Sequence, residues 1–508
     1  MANSNKKKGL FYRFLDFVER TGNKLPHPFN LFVILTLTVV LVSVVLSAME
    51  IQAKHPSKDE IIMAKSLLSK EGLRYMVLNV TKNFVNFKPL GLVLTIMLGI
   101  GMVEQTGLMS AFMRKFIMGM PEKLIIAAIF LIGICGNVAS GSSIIIVPPI
   151  AGAIFYGIKK NPLVGVAAGY AATCAGFTAN LIIVGTDALL AGITEEAAKI
   201  VDPSLAISPA INYYFMIAST IVLTIVGVWV TSFIEKRAGK YSPKSEVCIE
   251  DDVTTEITKE EEKGLKSAGI ATVIYWALVG ISLIPESSPF RSDTGGLIPS
   301  PFLKGIVTFL FLWFLTMGIA YGVTSGKIKK GADIPTMMGN IISSLGGYIV
   351  LTFIIAQFVS YFNWTNVGLI LAVSAGKLLN AINFTGMPMI ICIILFSAFV
   401  NLFIGSGSSK WALLAPVFVP MFMMLGYSPA FAQVSYRIGD SMTNCITPLF
   451  PYFPIMLGFL KKYDPDAGVG TVMSMTVPYS LVFGIVWIIQ LIIWYALKLP
   501  LGPGATIF

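Results

Sequence analysis

The stretch "FVNLFIGSGSSKWALLAPVFVP", residues 399–420, decides the fold. Its flanks are apolar enough for hydrocarbon, yet its middle carries Asn401, alternating glycine and serine, Lys410 and Trp411. Unpaired polar groups are costly in lipid, and non-helical backbone at membrane depth is tolerated only where protein buries it or it lines a wet cavity. The stretch therefore reads as the turn of a re-entrant hairpin, two half-length helices joined at a tip. A second stretch, "GNVASGSSIIIVPP" at 136–149, has the same character.

Composition places both in a membrane protein. The chain has 508 residues, 55% hydrophobic and 13% charged, with mean hydropathy +0.78; a soluble domain carries roughly 25% charged residues. Apolar runs long enough to span a bilayer lie near 29–50, 90–113, 162–191, 211–234, 268–284, 303–321, 341–362, 428–460 and 475–498. The reading is an all-α polytopic membrane protein with about nine transmembrane helices and two re-entrant hairpins, 124–158 and 388–427. The basic, amphipathic start, residues 1–28, is expected to be cytoplasmic and not a cleaved leader.

Several function classes drop out. The net charge of +10 fits basic cytoplasmic loops and does not point to nucleic acid. Two histidines and five scattered cysteines make neither a metal site nor a disulfide framework. No GxxxxGK[ST] phosphate loop is present, so ATP-driven pumping is disfavoured. Placing the N-terminus inside assigns 23 Lys and Arg to the inner side and 11 to the outer, seven of these in the 51–88 loop. That bias predicts a cytoplasmic N-terminus and an external C-terminus.

The two halves repeat short words in the same order: "PF" at 28–29 and 301–302, "VLT" at 93–95 and 350–352, "GSS" at 141–143 and 407–409, and "NPLVGVAAGY" from 161 against "SPAFAQVSYR" from 428. This divides the chain into a first repeat with a connecting span (29–234), a polar cytoplasmic linker (235–267), a connecting span and loop (268–302), a second repeat (303–460) and a final helix with the C-terminus (461–508). An odd number of crossings separates the repeats, so they are expected to be inverted. Inverted repeats with paired broken helices are a transporter architecture, its site near the midplane. Small residues that only let helices pack closely are the plainer explanation of each GSS.

The residues that could do the chemistry lie at those breaks. Ionisable groups at membrane depth are costly, which makes Asp187 (second part of a broken third span), Asp440 (at the break of the eighth) and Arg437 functional candidates. Arg437 is the natural anchor for an anion, although at i−3 from Asp440 it is also placed for a purely structural pair. Trp411 could stack on a flat ring or simply pack. Pro429 breaks a helix or starts one. Asn137, Ser142, Asn180 and Asn444, with Asn401, are candidates for an ion or substrate shell, or for satisfying local backbone, and hydroxyls and carbonyls at the hairpin tips could replace the hydration of a Na⁺. An intramembrane aspartyl dyad of Asp187 and Asp440 is disfavoured, because Arg437 would hold an aspartate ionised. A channel is a third class, to which re-entrant hairpins also belong.

Longer motifs carry a resemblance. "VERTGNKLPHPFNLF" (18–32), "GFTANLIIVGTDALLAGI" (176–193), "SGSSKWALLAPVFVPMFMMLGYSPAFAQ" (406–433) and "YRIGDSMTNCITPLFPYFPIMLGFLKKYDPDAGVGT" (436–471) resemble the p-aminobenzoyl-glutamate transporter (AbgT) family over essentially the whole chain. The resemblance implies a homodimeric secondary transporter of the bacterial inner membrane, without cofactor, that takes p-aminobenzoyl-glutamate or exports sulfonamide antimetabolites. It implies site residues Asp187, Asn401, Ser408, Trp411, Pro429, Arg437 and Asp440. It leans toward a proton gradient where the hairpin chemistry leans toward Na⁺; the proton is the reading adopted, with Na⁺ as its alternative.

Overall fold

The computed structural model describes residues 26–54, 61–139, 142–238, 257–298, 300–447, 450 and 452–508. The tip residues 140–141 of the first hairpin, most of the N-terminal segment and the centre of the linker fall outside these, as does the side chain of Ser142.

The chain is helical almost throughout. Several of its helices begin where the sequence supplies a cap or a proline. Helix α1 (Pro28–Ala48) starts at Pro28, with His27 accepting from Phe29 N. Helix α2 (Lys70–Val85) is capped by Ser69, and α3 (Lys88–Gln105) carries Pro89 in its first turn. A two-stranded hairpin, β1 (Gln52–Lys54) and β2 (Ile61–Met63), precedes α2. The 51–88 segment, expected as a loop, is therefore mostly structured. Its mixed charge hid a helix that stacks Tyr75 on Trp364.

Helix α4 (Leu108–Met118) turns back sharply into the first hairpin, α5 (Ile125–Cys135) and α6 (Ser142–Gly157). The third span is broken, as expected, into α7 (Pro162–Cys174) and α8 (Gly185–Ala198). Then come α9 (Tyr213–Ala238), α10 (Lys259–Leu283), the short α11 (Pro301–Lys304) and α12 (Ile306–Thr324). Helix α10 begins nine residues before the apolar run, because Thr258 and Glu261 form a capping box in polar sequence.

The second half continues with α13 (Asp333–Ser344), α14 (Gly346–Trp364), α15 (Val367–Ala381), the hairpin α16 (Met387–Asn401) and α17 (Gly407–Met424), then α18 (Pro429–Met442), α19 (Phe453–Lys461) and α20 (Val469–Ala496). Seven helical stretches of the described residues are long and apolar enough to cross a bilayer, or eight if the pair bent by 119° at 119–121 is one crossing. The expected spans 162–191 and 428–460 are absent from that count because each is two short helices, separated in the first by the segment 175–184 and in the second by a stretch that opens with a single 3-10 turn, Asn444–Ile446.

Beyond α20 the chain does not trail away. Leu501 O accepts from Tyr214 N and Phe215 N at 3.0 and 3.2 Å, and Ser428 N donates to Ile507 O at 2.8 Å. Residues 501–507 thus tie the start of α9 to the start of α18.

Candidate functional site

Breaking a helix inside a membrane frees backbone groups that must find partners. Between α7 and α8 the side chains supply them. Asn180 Oδ1 accepts from Leu181 N at 3.0 Å. Asp187 Oδ2, in the first turn of α8, accepts from Val184 N at 2.8 Å. Tyr213 donates to Leu181 O at 2.8 Å, and Arg437 Nη2 donates to Thr178 O at 2.7 Å. The same Nη2 reaches Asp187 Oδ1 at 2.5 Å. Arg437 and Asp187 are both buried, so α18 is fastened to the break by a buried ion pair. Arg437 Nε makes no hydrogen bond among the described residues.

The C-terminal carbonyls of α7, buried and beyond the reach of helical partners, are met in the same way. Asn137 Nδ2 donates to Thr173 O at 3.0 Å and to Ile134 O at 3.1 Å, while its Oδ1 accepts from Ser143 at 3.4 Å. Asn444 Nδ2 donates to Cys174 O at 3.4 Å. Asn137, Asn180 and Asn444 thus all bond backbone groups at the breaks in this conformation.

The second hairpin holds another buried pair. Lys410, in the first turn of α17, lies 2.6 Å from Asp440 Oδ1. It is completely buried, and its ammonium also donates to Asn401 Oδ1. Asn401 Nδ2 is surrounded by Asp440 O (2.6 Å), Thr443 Oγ1 (2.8 Å) and Asn444 Oδ1 (2.8 Å). Tyr436, one turn before Asp440, donates to Gly407 O and lies 3.1 Å from Asp440 Oδ1. Gly407 sits against the same carboxylate: a Cβ on it would lie 3.0 Å from Asp440 Oδ2, so a side chain there would press on the Lys410–Asp440 pair. Gly439 is required for a different reason: a Cβ would lie 2.3 Å from Ile394 O, so only glycine lets α18 approach α16 this closely.

Two expectations are corrected. Arg437 and Asp440 do not pair with each other, since each has a better tertiary partner. Asp440 is not at the break of the eighth span either; it is inside α18, three residues before the chain leaves the helix. Of the remaining candidates, Trp411 is fully buried and stacked on Tyr436 at 4.6 Å. Its Nε1 donates to Thr194 Oγ1 at 2.9 Å, so in this conformation it packs. Ser408 and Asp440 line a cavity of about 230 Å³ with Thr178, Thr186, Ser406 and Tyr452. Asn401, Trp411 and Arg437 are not among its lining residues. Pro429 stands apart: it opens α18 behind the Ser428 cap and lines a separate cavity with Lys88 and Lys304. Tyr436 and Thr178 were not singled out from sequence; the one signal for Tyr436 was its place a helical turn before Asp440.

A larger cavity, about 710 Å³, reaches the α7–α8 break at Ile182 and is bounded by Cys135, Phe112, Trp313 and Met317, with Lys115 and Lys266 among its lining. Asp187, Arg437, Lys410 and Asp440 are not among its lining residues. The family model for the "AbgT putative transporter family" matches residues 13–508. The chain belongs to the AbgT family. Over 503 residues this AbgT-family chain is 39% identical to the p-aminobenzoyl-glutamate transport protein of Escherichia coli (strain K12), covering 99% of this chain and 97% of that one. Two solved structures are similar. The Alcanivorax borkumensis YdaH transporter superposes with TM-score 0.89 at 36% identity, covering 94% of this chain and all of that one. Neisseria gonorrhoeae MtrF, described with a class of antimetabolite efflux pumps, superposes with TM-score 0.91 at 40% identity, covering 97% of this chain and all of that one. The chain is thus a multi-pass membrane transporter and not an enzyme.

Proposed function

We propose that this transporter moves p-aminobenzoyl-glutamate and related aryl anions across the bacterial inner membrane by alternating access, driven by protons. The observation that carries this reading is the Arg437–Asp187 pair, buried at a helix break beside a polar cavity. A guanidinium grips a carboxylate with a planar fork. Arg437 holds Asp187 through Nη2, and its Nε has no hydrogen-bond partner among the described residues. When α8 shifts, Asp187 leaves and the fork is free for a substrate carboxylate. Exchange of one carboxylate for another keeps the buried charge balanced throughout.

Ligand pockets are commonly about 300–1,000 Å³, and the polar cavity is smaller at about 230 Å³. Admitting an aryl-glutamate therefore requires movement at the break or the hairpin tip. The apolar cavity that reaches the same break supplies an antechamber for the aromatic end. Asp187 and Asp440 are the proton carriers in this reading: protonating either loosens its hold on a buried cation. Na⁺ coupling at the hairpin tips is the alternative.

The reading includes nine crossings, with each broken pair counted as one, in two inverted repeats, the N-terminus inside and the C-terminus outside. It also includes a homodimer. Support for the dimer comes from α2, which carries four charged residues yet exposes Val77 and Leu78 by 80% and 76%. The similarity to MtrF favours a second reading, export of sulfonamide-type antimetabolites, with equal weight. Proteoliposomes holding the purified protein separate these. Accumulation of labelled p-aminobenzoyl-glutamate driven by a pH gradient alone supports the first reading. Accumulation only with a Na⁺ gradient moves the coupling to Na⁺, and none under either condition, with movement of a labelled sulfonamide, favours export.

A further inference from the structure

We propose that the Lys410 ammonium is a built-in cation, held where a free monovalent metal ion would otherwise sit between the tip of the second hairpin and α18. This deepens the reading of that region as the coupling site and rests on it.

Three observations converge. First, the ammonium is fully buried and its partners among the described residues are oxygens, Asp440 Oδ1 at 2.6 Å and Asn401 Oδ1. An ammonium donates and cannot accept, so it needs what a metal ion needs, a shell of oxygen acceptors. The shell is rigid. Asn401 cannot rotate its amide, because its nitrogen is engaged by Asp440 O, Thr443 and Asn444.

Second, the charges already balance. Arg437 and Lys410 face Asp187 and Asp440 across two buried pairs. A Na⁺ added to this set would leave a buried positive charge without a partner, which is expensive. Removing the Lys410 ammonium leaves Asp440 and Asn401 as a negatively charged, oxygen-lined vacancy of ion size.

Third, the other hairpin manages without such a lysine. The residue following its "GSS" is Ile144, which is buried among apolar side chains. The acceptor oxygen of Asn137 takes the Ser143 hydroxyl there. A hairpin of this kind therefore packs with an apolar residue at that place, and the lysine in the second hairpin answers a need for charge.

The test is thermal unfolding of the purified full-length protein in NaCl, choline chloride and ethylammonium chloride at matched ionic strength. Lys410→Ala is expected to gain, relative to wild type, a rise of about 2 °C or more in Tm specific to Na⁺ and to ethylammonium. A folded Lys410→Ala protein that responds to Na⁺ no more than wild type overturns the proposal. So does a response to ethylammonium alone, since the vacancy would then accept only an amine. Should Lys410→Ala fail to fold, the Lys410→Ala/Asp440→Asn double variant decides. Recovery of folded protein with no Na⁺ response beyond wild type supports an electrostatic role, and failure of both variants assigns Lys410 to packing and overturns it. The readout is melting, so loss of transport in any variant bears on the function proposed above and not on this inference.

Discussion

Arg437 and Asp440 lie three residues apart on α18, yet they hold different partners: Arg437 takes Asp187 from α8, and Asp440 takes Lys410 from α17. One helix thus carries a cation and an anion that each reach a different neighbouring helix. Removing one member of a buried pair strands the other, at a cost of about 3–5 kcal/mol, whereas removing both charges together can be nearly neutral. Asp187→Asn is expected to lower Tm and abolish accumulation. Adding Arg437→Gln should restore most of the stability and none of the transport. Differential scanning fluorimetry and proteoliposome uptake on the three proteins check this; a double variant less stable than the single would contradict it.

Trp411 is expected to behave as a packing residue in the resting protein. Trp411→Phe keeps a ring against Tyr436 and loses the bond to Thr194, a change of about 1 kcal/mol. Trp411→Ala removes the ring and is expected to cost about 3–5 kcal/mol. A Trp411→Ala protein that melts with wild type would refute the packing role.

Gly439 brings two backbones together. With a Cβ it would lie 2.3 Å from Ile394 O, so Gly439→Ala must push α18 from α16. Overpacking of this sort costs about 1–3 kcal/mol. The displacement should also loosen the Lys410–Asp440 contact, and a loss of uptake larger than the loss of stability is expected.

The exposed pair Val77 and Leu78 on α2 tests the dimer. Val77→Asp together with Leu78→Asp is expected to shift the purified protein from dimer to monomer in native mass spectrometry, because burying two carboxylates in an apolar contact is unfavourable. A dimer of unchanged strength would place the interface elsewhere.

The breaks and hairpins were legible because glycine, serine and proline at membrane depth have few other uses. Asp187, Asn401, Arg437 and Asp440 could be picked out for a related reason, the cost of polar groups in lipid. Their partners were not legible. Asp187 meets Arg437 across 250 residues of sequence, and helical periodicity offered Arg437 a nearer candidate in Asp440. A local rule of spacing identifies neighbours on one helix, and here tertiary packing supplied stronger ones. Lys410 illustrates the same limit: a lysine beside a hairpin tip is as consistent with the outer water layer as with full burial, until Asn401 and Asp440 are seen to enclose it. Helix α2 was hidden for the opposite reason, its four charges resembling a solvated loop.

The strap formed by residues 501–507 bears on the turnover barrier. Two backbone bonds bind it to the start of α9 and one to Ser428, the cap of α18. A stroke that slid α18 past α9 would have to break these bonds on every cycle, adding enthalpy to the activation step. Bending at 175–184, between α7 and α8, avoids that cost. In such a carrier α18, the strap and the head of α9 travel as one body, and cutting the strap should change the temperature dependence of turnover more than its affinity for substrate.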